Sequence, residues 1–200
     1  MKYYIIAGEA SGDLHAANMM KALKNIDSKA EFRFWGGDLM ESVDGQLVKH
    51  YKDLAFMGFF EVIMNIRTIS KNLKFCKADI KKFKPNCLIF IDYPGFNLRI
   101  AKWAKKEGIT THYYISPQIW AWKENRISAI KRDIDKMYVI LPFEKDYYEI
   151  NHTMPVNFVG HPLIDAIADR NPTDETLFRQ THELNQKPII ALLPGSRKQE

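Results

Sequence analysis

The sequence predicts a doubly wound α/β fold. Two observations carry the expectation. Apolar runs with almost no polar interruption, such as Tyr3-Tyr4-Ile5-Ile6-Ala7 and Cys87-Leu88-Ile89-Phe90-Ile91, alternate with stretches whose apolar residues fall at helical spacing. Turns rich in glycine or proline separate the two kinds of stretch. Strands this continuously apolar suit a parallel sheet covered by helices on both faces.

Each element follows in order. Residues 3–7 form a first strand, and 8–12 a turn. Residues 13–25 carry Leu14, Ala17 and Leu23 on one helical face. A second strand, 31–35, is closed by Gly36-Gly37. The strand Cys87–Ile91 precedes a helix at 97–107 that stops at Gly108. Then come a strand at 110–115, a helix at 124–132, a strand at 136–141, a short helix at 145–150 and a strand at 156–159. This βαβα order implies right-handed crossovers in one parallel sheet. The pattern changes near Gly160-His161-Pro162, where a polar stretch with Pro172 follows. A helix is expected at 175–184 and a fresh strand at 188–193. The division is therefore 1–168 as a first Rossmann-like domain, and 169–200 as a linker plus the first strand of a second, truncated one. The chain reads as the front part of a longer protein.

Composition narrows the class. Hydrophobic residues make up 46% and charged residues 26%, which excludes a disordered chain or a fibre. No apolar run reaches the roughly 18 residues of a spanning helix. The opening MKYYIIAGEASGD turns to glycine and acid at once, so it is a buried strand rather than a secretion signal. Two cysteines, Cys76 and Cys87, suit a reducing compartment. The net charge of +5 implies an anionic partner. Residues 67–84 hold seven cations (Arg67, Lys71, Lys74, Lys77, Lys81, Lys82 and Lys84) against one acid, Asp79, a local +6. A greasy stretch precedes them: Phe56, Met57, Phe59, Phe60, Val62, Ile63, Met64. The pair of features favours an anionic membrane surface over a merely solvated helix. Nucleic acid is disfavoured, since no nucleic-acid motif accompanies the lysines.

Several loops at strand ends carry candidate chemistry. Gly8, Glu9, Ser11, Gly12 and Asp13 lie between the first strand and its helix, where free N–H groups favour an anion. The same residues also fit a plain turn with Ser11 as helix cap. The spacing is neither the dinucleotide fingerprint nor a P-loop. Asp92 follows the strand Cys87–Ile91, at the end where open α/β sheets bind ligands. It is a candidate proton acceptor, or a helix cap. Ser116, Gln118, Trp120 and Trp122 follow another strand beside Lys123 and Arg126, and the tryptophans suit a binding wall or a core. His161 stands at a further strand end, as a ligand contact or a loop holder. Ser196 and Arg197, in Pro194-Gly195-Ser196-Arg197, form a candidate phosphate loop. The histidines show no metal spacing.

Together these stretches resemble the lipid-A-disaccharide synthase family. The resemblance rests on Ala7-Gly8-Glu9-Ala10-Ser11-Gly12-Asp13, Met57-Gly58 with Glu61-Val62, Ile91-Asp92 with Pro94 and Phe96-Asn97, and Tyr114-Ile115-Ser116-Pro117-Gln118-Ile119-Trp120-Ala121-Trp122. It continues through Leu141-Pro142-Phe143-Glu144, Phe158-Val159-Gly160-His161-Pro162 and Leu192-Leu193-Pro194-Gly195-Ser196-Arg197. It implies the two-domain GT-B glycosyltransferase fold, with the acceptor side mainly N-terminal and the UDP site mainly C-terminal. The implied reaction is inverting transfer from UDP-2,3-diacylglucosamine to 2,3-diacylglucosamine 1-phosphate, without metal or other cofactor, in lipid A and lipopolysaccharide biosynthesis. The implied place is the cytoplasmic face of the Gram-negative inner membrane, with a homodimer open for the full-length protein. Asp92 matches the family's important aspartate and becomes the candidate base; Arg197 matches its arginine of note. Gly95 departs from the pattern, standing where the family often has a second aspartate. The remaining readings are a UDP-sugar epimerase of related fold and a non-catalytic lipid-binding module. The 200 residues alone are expected to be inactive.

Overall fold

The strands pair side by side from the first residues. In the computed structural model, which describes residues 1–54, 66–168 and 174–193, seven parallel strands form one sheet. They are β1 (Lys2–Ala7), β2 (Glu31–Gly36), β3 (Gln46–His50), β4 (Cys87–Ile91), β5 (Thr110–Tyr114), β6 (Lys136–Val139) and β7 (Asn157–Phe158). The order is β3-β2-β1-β4-β5-β6-β7. The chain winds outward from β1 to β3, then returns to β4 beside β1 and winds the other way. At such a reversal open α/β sheets bind ligands in the crevice outside the carboxyl ends of the strands, here β1 and β4.

The helices are α1 (Ala10–Ile26), α2 (Asp38–Glu41), α3 (Ile66–Phe83), α4 (Pro94–Lys106), α5 (Ile127–Asp133), α6 (Pro142–Asp146), α7 (Pro162–Ala168) and α8 (Glu175–Thr181). A 3₁₀ turn at Glu124–Arg126 leads into α5, and a π-turn at Tyr147–Asn151 follows α6. Side chains alternate across the sheet with the two-residue period of a strand. Tyr4, Ile6, Leu88 and Phe90 join Cys76 and Ile80 of α3, Ile100 and Ala104 of α4, and Ile130 of α5 in one core. Tyr3, Ile5, Ala7, Ile89 and Ile91 join Ala16 and Met20 of α1 and Met40 of α2 in the other. Burial of these apolar faces is the main stabilising term, at roughly 25 cal/mol per Å².

One polar network pins α3 to the sheet. Asp79 is 8% exposed, and its carboxylate accepts from Arg33 Nε at 2.7 Å, Arg33 Nη2 at 2.6 Å and the Tyr4 hydroxyl at 2.8 Å. The Trp35 indole donates to that hydroxyl at 2.9 Å. Burial alone would raise the Asp79 pKa; the Arg33 and Tyr4 bonds outweigh it and hold it below the usual carboxylate value. The acid of the basic run is thus turned inward. Arg67, Lys71, Lys74, Lys81 and Lys82 stay exposed around Phe75, which is 51% exposed.

One expectation falls outside the described residues and one changes. The greasy stretch at 56–64 lies outside the described residues. The expected strand at 188–193 is not a strand: it is irregular, and Ile190, Leu192 and Leu193 are exposed. A lone strand without a hydrogen-bonding neighbour leaves its N–H and C=O groups to water and gains nothing from being extended. The chain divides into two compact units, Met1–Pro162 and Leu163–Glu200.

Candidate active site

The loops after β1 and β4 meet at the crevice because their strands run in register. Ala7 stands opposite Ile91, so Gly8 and Asp92 are the next residues across. Gly8 is a glycine for a steric reason. A Cβ there would stand 2.3 Å from the Tyr93 ring, which covers the loop. Gly12 lets α1 approach the sheet, since its Cβ would meet that of Ala7 at 3.2 Å. The first intrahelical bond runs from the Asp13 N–H to the Glu9 carbonyl at 3.0 Å. The N–H groups of Ala10, Ser11 and Gly12 therefore precede the ladder, and Glu9 gives no side-chain cap. Ser11 is exposed at this positive helix end.

Asp92 is held in an uncommon conformation. Its φ is +42°, and that of Tyr93 is +50°, in the left-handed region that few non-glycine residues adopt. The Asp92 carbonyl oxygen accepts from Asn97 Nδ2 at 2.7 Å and from the Tyr113 hydroxyl at 2.6 Å. Burial first, and then the Asp92 carboxylate, push the Tyr113 phenol well above its usual pKa. Tyr113 therefore stays a donor and clamps the turn. Strain maintained this way is found where a loop must present a side chain. Asp92 itself is half-buried.

The loop after β5 forms a second rim. Gln118 is exposed, Trp120 is 38% exposed and Trp122 is 61% exposed. The Lys123 ammonium lies 4.0 Å over the Trp122 ring, a cation–π contact. Phe143 meets Trp120 edge-on at 5.0 Å. His161, on the chain leaving β7, is near enough to His15 of α1 to matter electrostatically. Burial mainly, and then His161, lower the His15 pKa.

Two of the expected ligand contacts are buried and bonded within the protein. Asp13 is 2% exposed and faces the turn after β2. Its carboxylate accepts from the N–H groups of Gly37 at 2.8 Å, Leu39 at 3.1 Å and Met40 at 3.1 Å, capping α2. Ser116 is 3% exposed and donates to Glu144 at 2.7 Å. Both are oriented inward because buried polar groups must find partners. Ser196 and Arg197 lie outside the described residues. Sequence reasoning did not single out Asn97, Tyr113 or Glu144 as site residues, although Asn97 and Glu144 fall inside the quoted motifs. Among the described residues no group of three or more His, Cys, Asp or Glu stands where it could hold a metal, and no helix is long and apolar enough to cross a membrane. A separate groove of about 290 Å³, lined by Lys102, Lys105, Lys106, Arg132 and Asp133, lies at the end of α4 remote from the crevice.

The parallel doubly wound sheet is Rossmann-like, a fold of GT-B type. Solved UDP-N-acetylglucosamine 2-epimerases share it. The enzyme from Neisseria meningitidis, bound to UDP-GlcNAc, matches with TM-score 0.58 at 12% identity over 92% of this chain and 53% of its own. A putative one from Listeria monocytogenes matches at 0.62 and 13% identity over 89% of this chain and 50% of its own. Likeness at that identity concerns the fold. The sequence is more specific: the lipid-A-disaccharide synthetase family model matches residues 3–200, and the chain belongs to that family. Lipid-A-disaccharide synthase 1 of Legionella pneumophila (strain Lens) is 46% identical over 98% of this chain and 51% of its own length. The synthase of Coxiella burnetii (strain Dugway 5J108-111) is 41% identical over 98% and 52%. The chain spans about half the length of these curated relatives.

Proposed function

We propose that this chain is the acceptor-side half of an inverting glycosyltransferase that forms the lipid A disaccharide. The 6-hydroxyl of 2,3-diacylglucosamine 1-phosphate attacks C1 of UDP-2,3-diacylglucosamine. A new C–O bond forms, the bond from C1 to UDP breaks, and inversion gives the β-1,6 linkage. The hydroxyl proton passes to the Asp92 carboxylate. UDP leaves with growing negative charge, which Arg197 and its Gly-Ser loop stabilise. Gly8, Glu9, Ser11 and Gly12 at the α1 N-terminus, with Gln118, Trp120, Trp122 and His161, line the substrate side. The observation that carries the reading is Asp92 itself. It stands on a clamped left-handed turn at the sheet's reversal, directly after β4 and next to the loop that opens α1.

The reading places the protein at the cytoplasmic face of the inner membrane as a peripheral protein. The exposed cations of α3 around Phe75 support it, because anionic lipid attracts such a face at about 1 kcal/mol per basic side chain. Full-length protein is expected to pellet with vesicles containing phosphatidylglycerol, and less with neutral ones. Charge reversal at Lys71, Lys74 and Lys82 should abolish the difference; unchanged pelleting contradicts the surface assigned.

Product analysis tests the function. Full-length protein given both diacylated substrates should release UDP and a disaccharide 1-phosphate. Conversion of UDP-GlcNAc to its C2 epimer, without disaccharide, would favour the epimerase reading that the shared fold allows. The 200-residue chain by itself is expected to show no turnover.

A further inference from the structure

Four donors from two segments converge on the Glu144 carboxylate. Oε1 accepts from the Ser116 hydroxyl at 2.7 Å and the Trp120 indole at 3.3 Å. Oε2 accepts from the N–H groups of Ile140 at 3.1 Å and Leu141 at 2.9 Å. Glu144 is 1% exposed. A carboxylate buried that far is costly unless its lone pairs are filled, and here both oxygens are doubly engaged.

What Glu144 holds is a loop under strain. Residues 115–123 begin and end on left-handed backbone, with φ of +64° at Ile115 and +58° at Lys123. Neither is glycine, and Ile115 is β-branched, so both are sterically costly backbone conformations. The loop's own bonds are short-range, from Ile119 to Pro117 and from Ala121 and Trp122 to Gln118. Its outer ties include the Ile115 N–H, which donates to the Tyr138 carbonyl at 3.1 Å, the Tyr148 hydroxyl, which donates to the Pro117 carbonyl at 3.3 Å, and the two side-chain bonds to Glu144.

We infer that Glu144 is a positioning residue for the substrate rim. It fixes the plane of the Trp120 indole, and through Ser116 it fixes the turn that presents Gln118 and Trp122. It contacts no substrate and moves no proton, being sealed beneath the loop. The inference rests on the transferase reading above. Glutamine is not a conservative replacement. Its single oxygen can serve one pair of donors, and its NH₂ group then confronts the other pair.

The test uses full-length Glu144→Gln, Trp120→Phe and the double variant, with transfer measured against each lipid substrate. Glu144→Gln is expected to raise KM about tenfold with kcat within about threefold, the mark of binding lost equally from ground state and transition state. The double variant should lose less than the product of the two single losses, because both changes remove the bond between Trp120 and Glu144. Multiplicative losses would overturn the inference and leave Glu144 a general stabiliser. A second readout needs no turnover. The Trp120 indole N–H resonance, assigned by its absence in Trp120→Phe, should shift and exchange faster with solvent in Glu144→Gln; an unmoved resonance also overturns the inference. Should Glu144→Gln fail to fold, Ser116→Ala combined with Trp120→Phe cuts the same two ties and should show the same rise in KM; an unchanged KM overturns the inference. If wild-type protein makes no disaccharide, the transferase reading fails, and the indole signal still decides whether Glu144 holds the loop.

Discussion

Replacing Asp13 with asparagine changes one oxygen to nitrogen without changing shape. In the native chain Oδ1 accepts from Gly37 and Met40, and Oδ2 from Leu39. The amide oxygen of asparagine would take the pair at Oδ1, leaving an NH₂ group against the Leu39 N–H. A lost charge-assisted bond with an opposed donor costs about 2 kcal/mol. Asp13→Ala removes all three bonds and should cost about 3–4 kcal/mol, less than three independent bonds because water enters the space. Such losses are large against a typical domain stability of roughly 5–15 kcal/mol. Urea unfolding followed by circular dichroism measures them as a lower midpoint at constant slope. If Asp13→Asn unfolded at the wild-type midpoint yet lost substrate binding, Asp13 would be a ligand contact and the capping argument wrong.

Gly8→Ala should destabilise by about 1–3 kcal/mol, since the new methyl overlaps the root of the Tyr93 ring, which cannot swing away while it packs on Phe96. A thermal midpoint equal to wild type would contradict that packing. Stability should also fall with acid. Burial mainly lowers the folded pKa of His15, with His161 adding to it. His112 is likewise lowered mainly by burial, against an opposing pull from Asp135 and with a smaller lowering from Lys136. A lowered folded pKa favours the neutral folded form, so the contribution is complete above the unfolded value of about 6.5 and is lost as pH falls through the folded pKa. Unfolding free energy should therefore drop between pH 7.5 and 5.5, and His15→Gln should flatten part of that slope; a rise over the same interval would reverse the assignment.

Much of the architecture was legible because parallel strands buried on both faces leave unbroken apolar runs. Strands β1 and β4 were read at or within a residue of their ends for that reason. Strand β3 escaped because Gln46-Leu47-Val48-Lys49-His50 is an edge strand, half-wet and short of apolar signal. The start of α1 was read three residues late, because the glycine and serine that open it look like turn residues. Asp92 was legible as a carboxylate after a strand, but its left-handed backbone was not; that depends on Asn97 and Tyr113, five and 21 residues away. Asp13 and Glu144 both occupy first helical turns, where acids are common on the surface for electrostatic reasons. Nothing local says that each instead turns inward to collect donors from a distant segment. The expected strand at 188–193 has strand composition, yet strand formation needs a neighbour and not composition alone.

In the proposed reaction Asp92 takes the proton of the attacking hydroxyl. The direct measurement is the single-turnover rate of disaccharide formation by full-length Asp92→Asn, with both lipid substrates saturating. Asparagine keeps the turn and its carbonyl but cannot accept that proton. The expected result is a rate lower by about 10²–10⁴ with folding and substrate affinity near wild type. A rate within about twofold of wild type would contradict the account and move the base elsewhere in the crevice.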